Sequence, residues 1–153
     1  MTALPITPVG YVRGGRAAPE DDHWGGQRAI IELAGTFPAE ALAGLSEFSH
    51  AEIVFQFHLV PESEIETRAR HPRGHADWPR VGIFAQRGRN RPNRIGVSTC
   101  RILAVSGRSL EVEGLDAIDA TPVLDIKPVM AEFLPRGEIR QPDWSNELMK
   151  DYW

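Results

Sequence analysis

The chain has 153 residues, with 17 Lys and Arg against 21 Asp and Glu for a formal net charge of −4, and 42% of its residues are hydrophobic. That length suits a single domain built around one core, and no apolar run approaches the ~18 residues that a membrane-crossing helix needs. The lone Cys100 excludes an internal disulfide framework, and the opening MTALPITPVG has neither the basic start nor the long apolar stretch of a secretory signal, so a cytoplasmic location is expected.

In chain order, strand-like runs fall at Val9 to Arg13, Arg28 to Leu33, Glu52 to Val60, Val81 to Gln86, Gly96 to Val105, Ser109 to Glu113 and Val123 to Ile126. Most are bounded by Gly or Pro, and such density of short strands predicts a sandwich or barrel rather than alternating β-α units. Gly14 to Gln27 and Pro61 to Pro79 are long irregular connections, the kind that often carries function. Pro38 to Leu45 is expected to form two helical turns with Ala41, Leu42 and Leu45 on one face. Ser106-Gly107-Arg108 reads as a hairpin turn in which Gly107 takes positive φ. Asp143 is expected to N-cap a short helix over Trp144 to Met149, so residues 1–140 are assigned to a β domain and 141–153 to a C-terminal helical tail. Trp144, Tyr152 and Trp153 would form an exposed apolar patch unless they pack on the domain or on a second subunit, and the subunit contact is preferred.

Several chemistries lack their motifs. Five histidines show no HExxH spacing and Cys100 has no thiol partner, so no metal is expected. There is no GxSxG, P-loop or GxGxxG, and Cys100 within a strand reads as a core residue rather than a nucleophile. Two polar segments remain. Between Arg68 and Arg94 lie eight arginines, His71 and His75 against one acid, Asp77. A solvated loop is one reading; recognition of phosphate or carboxylate is the better one, because guanidinium forks match those anions. The second segment, Asp116 to Pro128, sets three acids and Lys127 into an apolar run, where an Asp125–Lys127 pair is readily structural.

The runs VGIFAQRGRNRPNRIGVS (Val81 to Ser98) and GLDAIDATPVLDIKP (Gly114 to Pro128) resemble the two signature stretches of the TsaA-like (YaeB-like) family of tRNA adenosine N6-methyltransferases. Supporting matches are Pro8 to Val12, Gln27, Leu45 to His50 and Phe57-His58, so the resemblance covers nearly the whole chain. It implies a mainly β protein, a small antiparallel β-barrel with short peripheral helices, that forms a homodimer. The implied cofactor is S-adenosyl-L-methionine, the implied partner is tRNA, and the implied reaction is N6-methylation of a threonylcarbamoyl-adenosine beside the anticodon, without metal. Carried over by position, the cofactor contacts fall on Gly25, Gly26, Gln27, His58, Leu59, Arg87, Val97, Ile118, Asp119, Ala120 and Thr121. Arg89, Arg91 and Arg94 are the expected RNA contacts, and Asp125 is the candidate base. The chain departs from the family pattern at Gly88-Arg89, Arg94, Ala120 and Val129, which leaves a small-molecule acceptor or a non-catalytic binding module as alternatives.

Overall fold

A computed structural model describes residues 1–153. Six strands close a barrel: β1 (Gly10–Arg13), β2 (Arg28–Leu33), β3 (His50–Gln56), β6 (Ile95–Ser106), β7 (Ser109–Glu113) and β8 (Pro122–Pro128). Around the barrel the order is β1-β2-β7-β6-β3-β8, and every neighbouring pair is antiparallel. Two short strands, β4 (Ala69–Arg70) and β5 (Val81–Gly82), form a separate ribbon within the β3–β6 connection. No helix is long and apolar enough to cross a membrane.

Alternation along the strands produces closure. Ala29 and Ile31 of β2, Ala51, Ile53 and Phe55 of β3, and Leu110 and Val112 of β7 are buried at every second position and fill the interior together with Val12, Cys100, Leu115 and Val123. At the hairpin between β6 and β7, Ser106 pairs with Ser109 and Gly107 has φ 56°, the left-handed conformation that a tight hairpin turn demands.

Four local expectations need correction. β3 starts at His50 and stops at Gln56 instead of reaching Val60, because the Phe57 amide turns to donate to Arg94 O and the Val60 amide to Phe57 O. Val81 to Gln86 is not one strand: after β5 the chain enters a 3-10 turn, Ile83–Ala85, that buries Ile83 and exposes Phe84. Pro38 to Leu45 becomes two 3-10 turns, Ala39–Leu42 and Leu45–Glu47, with Gly44 at φ 85° between them; Leu42 and Leu45 are buried, but the three-residue repeat leaves Ala41 exposed. The terminal helix α1 (Asp143–Met149) has Pro142 as its cap, so Asp143 is the first helical residue, an acid placed favourably in the first turn.

Within the single chain the aromatic tail makes the domain contact that was one of its two expected packings. Its last residues return to their own barrel, where the His23 amide donates to Asp151 O at 2.9 Å and the Trp24 amide to Tyr152 O at 2.7 Å. Exposed apolar side chains also lie along the segment between β8 and α1, at Met130, Phe133, Leu134 and Ile139, and Trp153 stays 58% exposed.

Candidate cofactor and nucleic-acid site

Strand direction decides where the functional segments meet. Because adjacent strands alternate in direction, the β1–β2, β3–β6 and β7–β8 connections emerge at one end of the barrel, and the β2–β3 connection and β6–β7 hairpin emerge at the other. Gly25, Gly26, Gln27, His58, Leu59, Arg87 and Ile118 to Thr121 all lie in the first three connections, and Val97 is the third residue of β6 at the same end.

Hydrogen bonds tie the connections together. The Gly114 amide donates to Gln27 O at 2.9 Å, and the Asp119 amide donates to Arg16 O at 2.8 Å. Asp119 is exposed, and its carboxylate accepts from the Gly14 amide at 2.9 Å. Thr121 is buried and its hydroxyl donates to Ile118 O at 2.7 Å. Ala120, one of the departures from the family pattern, has φ 67°, a conformation in which an L side chain is disfavoured. Arg87 is exposed and donates from Nη2 to Val97 O at 3.0 Å, which points the guanidinium along the edge of β6. A Cβ on Gly26 would meet nothing within 4 Å, so its backbone is open to approach. His58 is half-buried and Leu59 exposed, and neither side chain hydrogen-bonds to the other carried-over residues.

The arginine segment divides by environment. Arg73 pairs with Asp22 at 3.0 Å, which docks the β3–β6 connection on the β1–β2 connection. Arg91 donates to Gln86 O at 2.6 Å and Arg94 to Val60 O at 2.7 Å, so two of the three expected RNA contacts also brace their own loop; Arg94 takes φ 52°. Arg89 is exposed with no side-chain partner. Among the eight arginines only Arg73 forms an ion pair, so most of this charge is not neutralised internally. Gln86, a buried amide, donates to Arg70 O and Val81 O and fixes the turn that displays Phe84.

Asp125 is placed differently from a poised base. It lies on the outer side of β8 opposite Val54, which in turn pairs with Val97, and its carboxylate binds Lys127 Nζ at 2.7 Å and the Ile126 amide at 2.9 Å. Its hydrogen bond and charge raise the Lys127 pKa. Cys100 is sealed in the core, where burial and then the Asp116 charge push its thiol up to about 12. No three His, Cys, Asp or Glu side chains gather as metal ligands.

Three residues absent from the sequence-based site are present at this end. Asp116 accepts hydrogen bonds from the hydroxyls of Ser98 and Tyr152, one on each carboxylate oxygen. Ser98 closes the first signature run and Asp116 sits inside the second, which is the signal available in the sequence; Tyr152 had none beyond belonging to an aromatic tail.

A family profile described as the tRNA-methyltransferase O N-terminal domain matches residues 15–133. The tRNA (adenine(37)-N6)-methyltransferase of Escherichia coli is 42% identical over 105 residues, covering 63% of this chain and 43% of that protein. The human protein of the same name is 35% identical over 69% of this chain and 23% of its own length. A Methanothermobacter thermautotrophicus protein named "Probable S-adenosyl-L-methionine-binding protein" is 33% identical over 82% of this chain and 89% of its own. A crystal structure of TrmO from P. aeruginosa superposes with a TM-score of 0.75 at 29% identity, over 94% of this chain and 62% of that one. The chain thus spans less than half the length of the E. coli and human methyltransferases that it matches.

Proposed function

The chain belongs to the tRNA-methyltransferase O N-terminal domain family, and on that premise we propose that it is an S-adenosyl-L-methionine-dependent methyltransferase acting on N6 of a threonylcarbamoyl-adenosine beside a tRNA anticodon, in the cytoplasm. The observation that carries this reading is convergence. The three connections holding the proposed cofactor residues open at one barrel end, next to an arginine segment in which only Arg73 is ion-paired. A segment tied up in internal ion pairs would have favoured a small-molecule acceptor.

When bound, the cofactor supplies an electrophilic methyl group on a sulfonium. Arg87, with one Nη2 bond to Val97 O and the rest of its fork free, is suited to the cofactor carboxylate. The exposed Asp119 carboxylate is suited to face the sulfonium charge, and the open backbone at Gly26 permits close approach. Ile118 to Thr121, pinned by the Asp119, Ala120 and Thr121 amides, offers a fixed edge for the adenine. Alignment does most of the remaining work, because holding nucleophile and methyl in line removes much of the entropic barrier. Asp125 stays a candidate base that must first leave Lys127. Arg89, with Arg91 and Arg94 behind it, faces the RNA backbone, and Phe84, 78% exposed on its braced turn, stands in the same segment for stacking on an unpaired base. The enzyme acts as a homodimer whose contact includes Phe133 and Leu134, and residues 1–140 form the catalytic barrel with 141–153 as its tail.

Titration calorimetry with S-adenosyl-L-methionine in chelator tests the reading. Stoichiometric binding is expected, weakened about 10- to 150-fold by Arg87→Ala, the factor that corresponds to ~1.5–3 kcal/mol for a hydrogen bond to a charged group. Absence of binding by the unaltered protein overturns the methyltransferase reading.

A further inference from the structure

Asp116 joins three segments of the barrel end through its carboxylate. It belongs to the β7–β8 connection, between the buried Leu115 and Ala117, and its two oxygens accept from Ser98 Oγ and from the Tyr152 hydroxyl. Ser98 is buried on β6 and directly follows Val97, whose carbonyl holds Arg87. Tyr152 belongs to the returning tail, which hydrogen-bonds His23 and Trp24 immediately before Gly25. Trp24 is itself fixed: it is buried, its Nε1 donates to Glu20 O at 3.1 Å, and Arg16 lies 4.2 Å from its ring centroid. Trp153 then runs so close over Gly25 that a Cβ there would lie 2.8 Å from the Trp153 carbonyl carbon.

No cation lies within ion-pair distance of Asp116; its charge is met by two neutral hydroxyl donors. Burial above all, then the Asp116 charge and hydrogen bond, raise the Tyr152 pKa against a smaller opposite pull from Arg73 and Arg87. The phenol therefore stays protonated and donating through the physiological range.

We propose that Asp116 is a positioning residue that fastens residues 151–153 over the Gly25 loop, and that this clasp keeps the cofactor end of the barrel in its binding shape. The proposal rests on the cofactor reading above. Gly25 to Gln27 have one rung to the barrel through Gly114 and Gln27; Arg16 holds the Asp22 and His23 carbonyls, but the acceptors for the His23 and Trp24 amides, the last before Gly25, come from the tail and are lost without it. A loop so released samples many conformations, and cofactor binding must then reorder it.

The experiment uses Tyr152→Phe, which removes one hydroxyl and keeps the ring, and Asp116→Asn, which keeps the shape but leaves only one accepting oxygen. Three quantities are measured: cofactor Kd by calorimetry, exchange of the His23 and Trp24 amides, and the thermal midpoint. Expected are a cofactor Kd about tenfold weaker in each variant, a double variant little worse than either, and faster exchange of both amides. At saturating cofactor the turnover of Tyr152→Phe matches the unaltered protein, since only binding is affected. Faster amide exchange with an unchanged Kd overturns the proposal and makes the clasp merely structural. Unchanged exchange in both variants overturns it as well, because the tail would then not depend on Asp116. Should Asp116→Asn fail to fold, Ser98→Ala replaces it. Absence of cofactor binding by the unaltered protein overturns the proposed function and this role with it, whereas binding by the unaltered protein with unchanged variants overturns this role alone.

Discussion

Replacing Arg68 and Arg89 together by glutamine is the sharpest test of RNA docking, because the structure separates these two from the other arginines of the segment. Arg73 is paired with Asp22, and Arg80, Arg87, Arg91 and Arg94 each direct a guanidinium nitrogen to a backbone carbonyl. Arg70 has its Nε buried without a partner. Arg68 and Arg89 are exposed, and neither guanidinium has a partner in the protein. If each neutralises one phosphate, their loss flattens the slope of log affinity against log salt by about 1.4–1.8, at ~0.7 per contact for single strands and ~0.9 for duplex. The assay is fluorescence anisotropy of a labelled anticodon stem-loop over a salt series. Arg73→Gln is the internal control: its charge is already met by Asp22, so the slope should change far less. Calorimetry should show cofactor affinity untouched in the Arg68/Arg89 variant. A slope that stays at the unaltered value in that variant refutes the docking argument and leaves those arginines as ordinary solvated side chains.

Two further outcomes follow from packing. Gly96→Ala should lower the thermal midpoint by about 2–12 °C, since its Cβ would lie 2.6 Å from the Phe55 ring and 2.8 Å from Phe57, and overpacking of ~1–3 kcal/mol is worth ~2–4 °C per kcal/mol at this size; a midpoint within about a degree of the unaltered protein would contradict it. Phe133→Asp with Leu134→Asp should convert a dimer to a monomer in light scattering at micromolar concentration, because both side chains are exposed on the single subunit. A variant that stays dimeric removes that segment from the subunit contact.

The barrel was legible because its strands announce themselves through alternation. Ala51, Ile53 and Phe55, like Leu110 and Val112, repeat with period two, and no long-range information is needed to read that pattern. Val81 to Gln86 was misread for the complementary reason. Its apolar run has the composition of a strand, but Phe84 faces solvent because a buried Gln86 side chain captures two backbone carbonyls and holds a turn, a decision made sixteen residues away at Arg70. Gly96 was read as the first residue of a strand. Its requirement turns out to be space: the edge-to-face pair of Phe55 and Phe57, with ring centroids 5.3 Å apart, fills the volume that a side chain would occupy. The tail was left with two expected packings because an aromatic cluster advertises burial without saying against what; Asp116, 36 residues upstream of Tyr152, supplies a partner within the chain.

Strand parity explains why the candidate site gathers at all. In an antiparallel barrel each connection must emerge at the end where its strand stops, so elaborations placed after β1, β3 and β7 share one rim whatever their sequences. The opposite rim carries the two-residue β6–β7 turn and the compact 3-10 turns of the β2–β3 connection, and none of the carried-over residues. The two chemistries proposed for the functional rim are also mechanically separate. Asp119, Thr121 and Gln27 are fixed by bonds among the β1–β2 and β7–β8 connections, whereas Arg91 and Arg94 brace the β3–β6 connection against itself. Arg73 with Asp22 joins the two halves by an ion pair, and Arg87 with Val97 O links the arginine loop to β6. Departures from the family pattern at Gly88, Arg89 and Arg94 fall on the self-braced half, whereas Ala120, at φ 67°, falls on the half proposed for the cofactor, so the departures touch both halves of the rim.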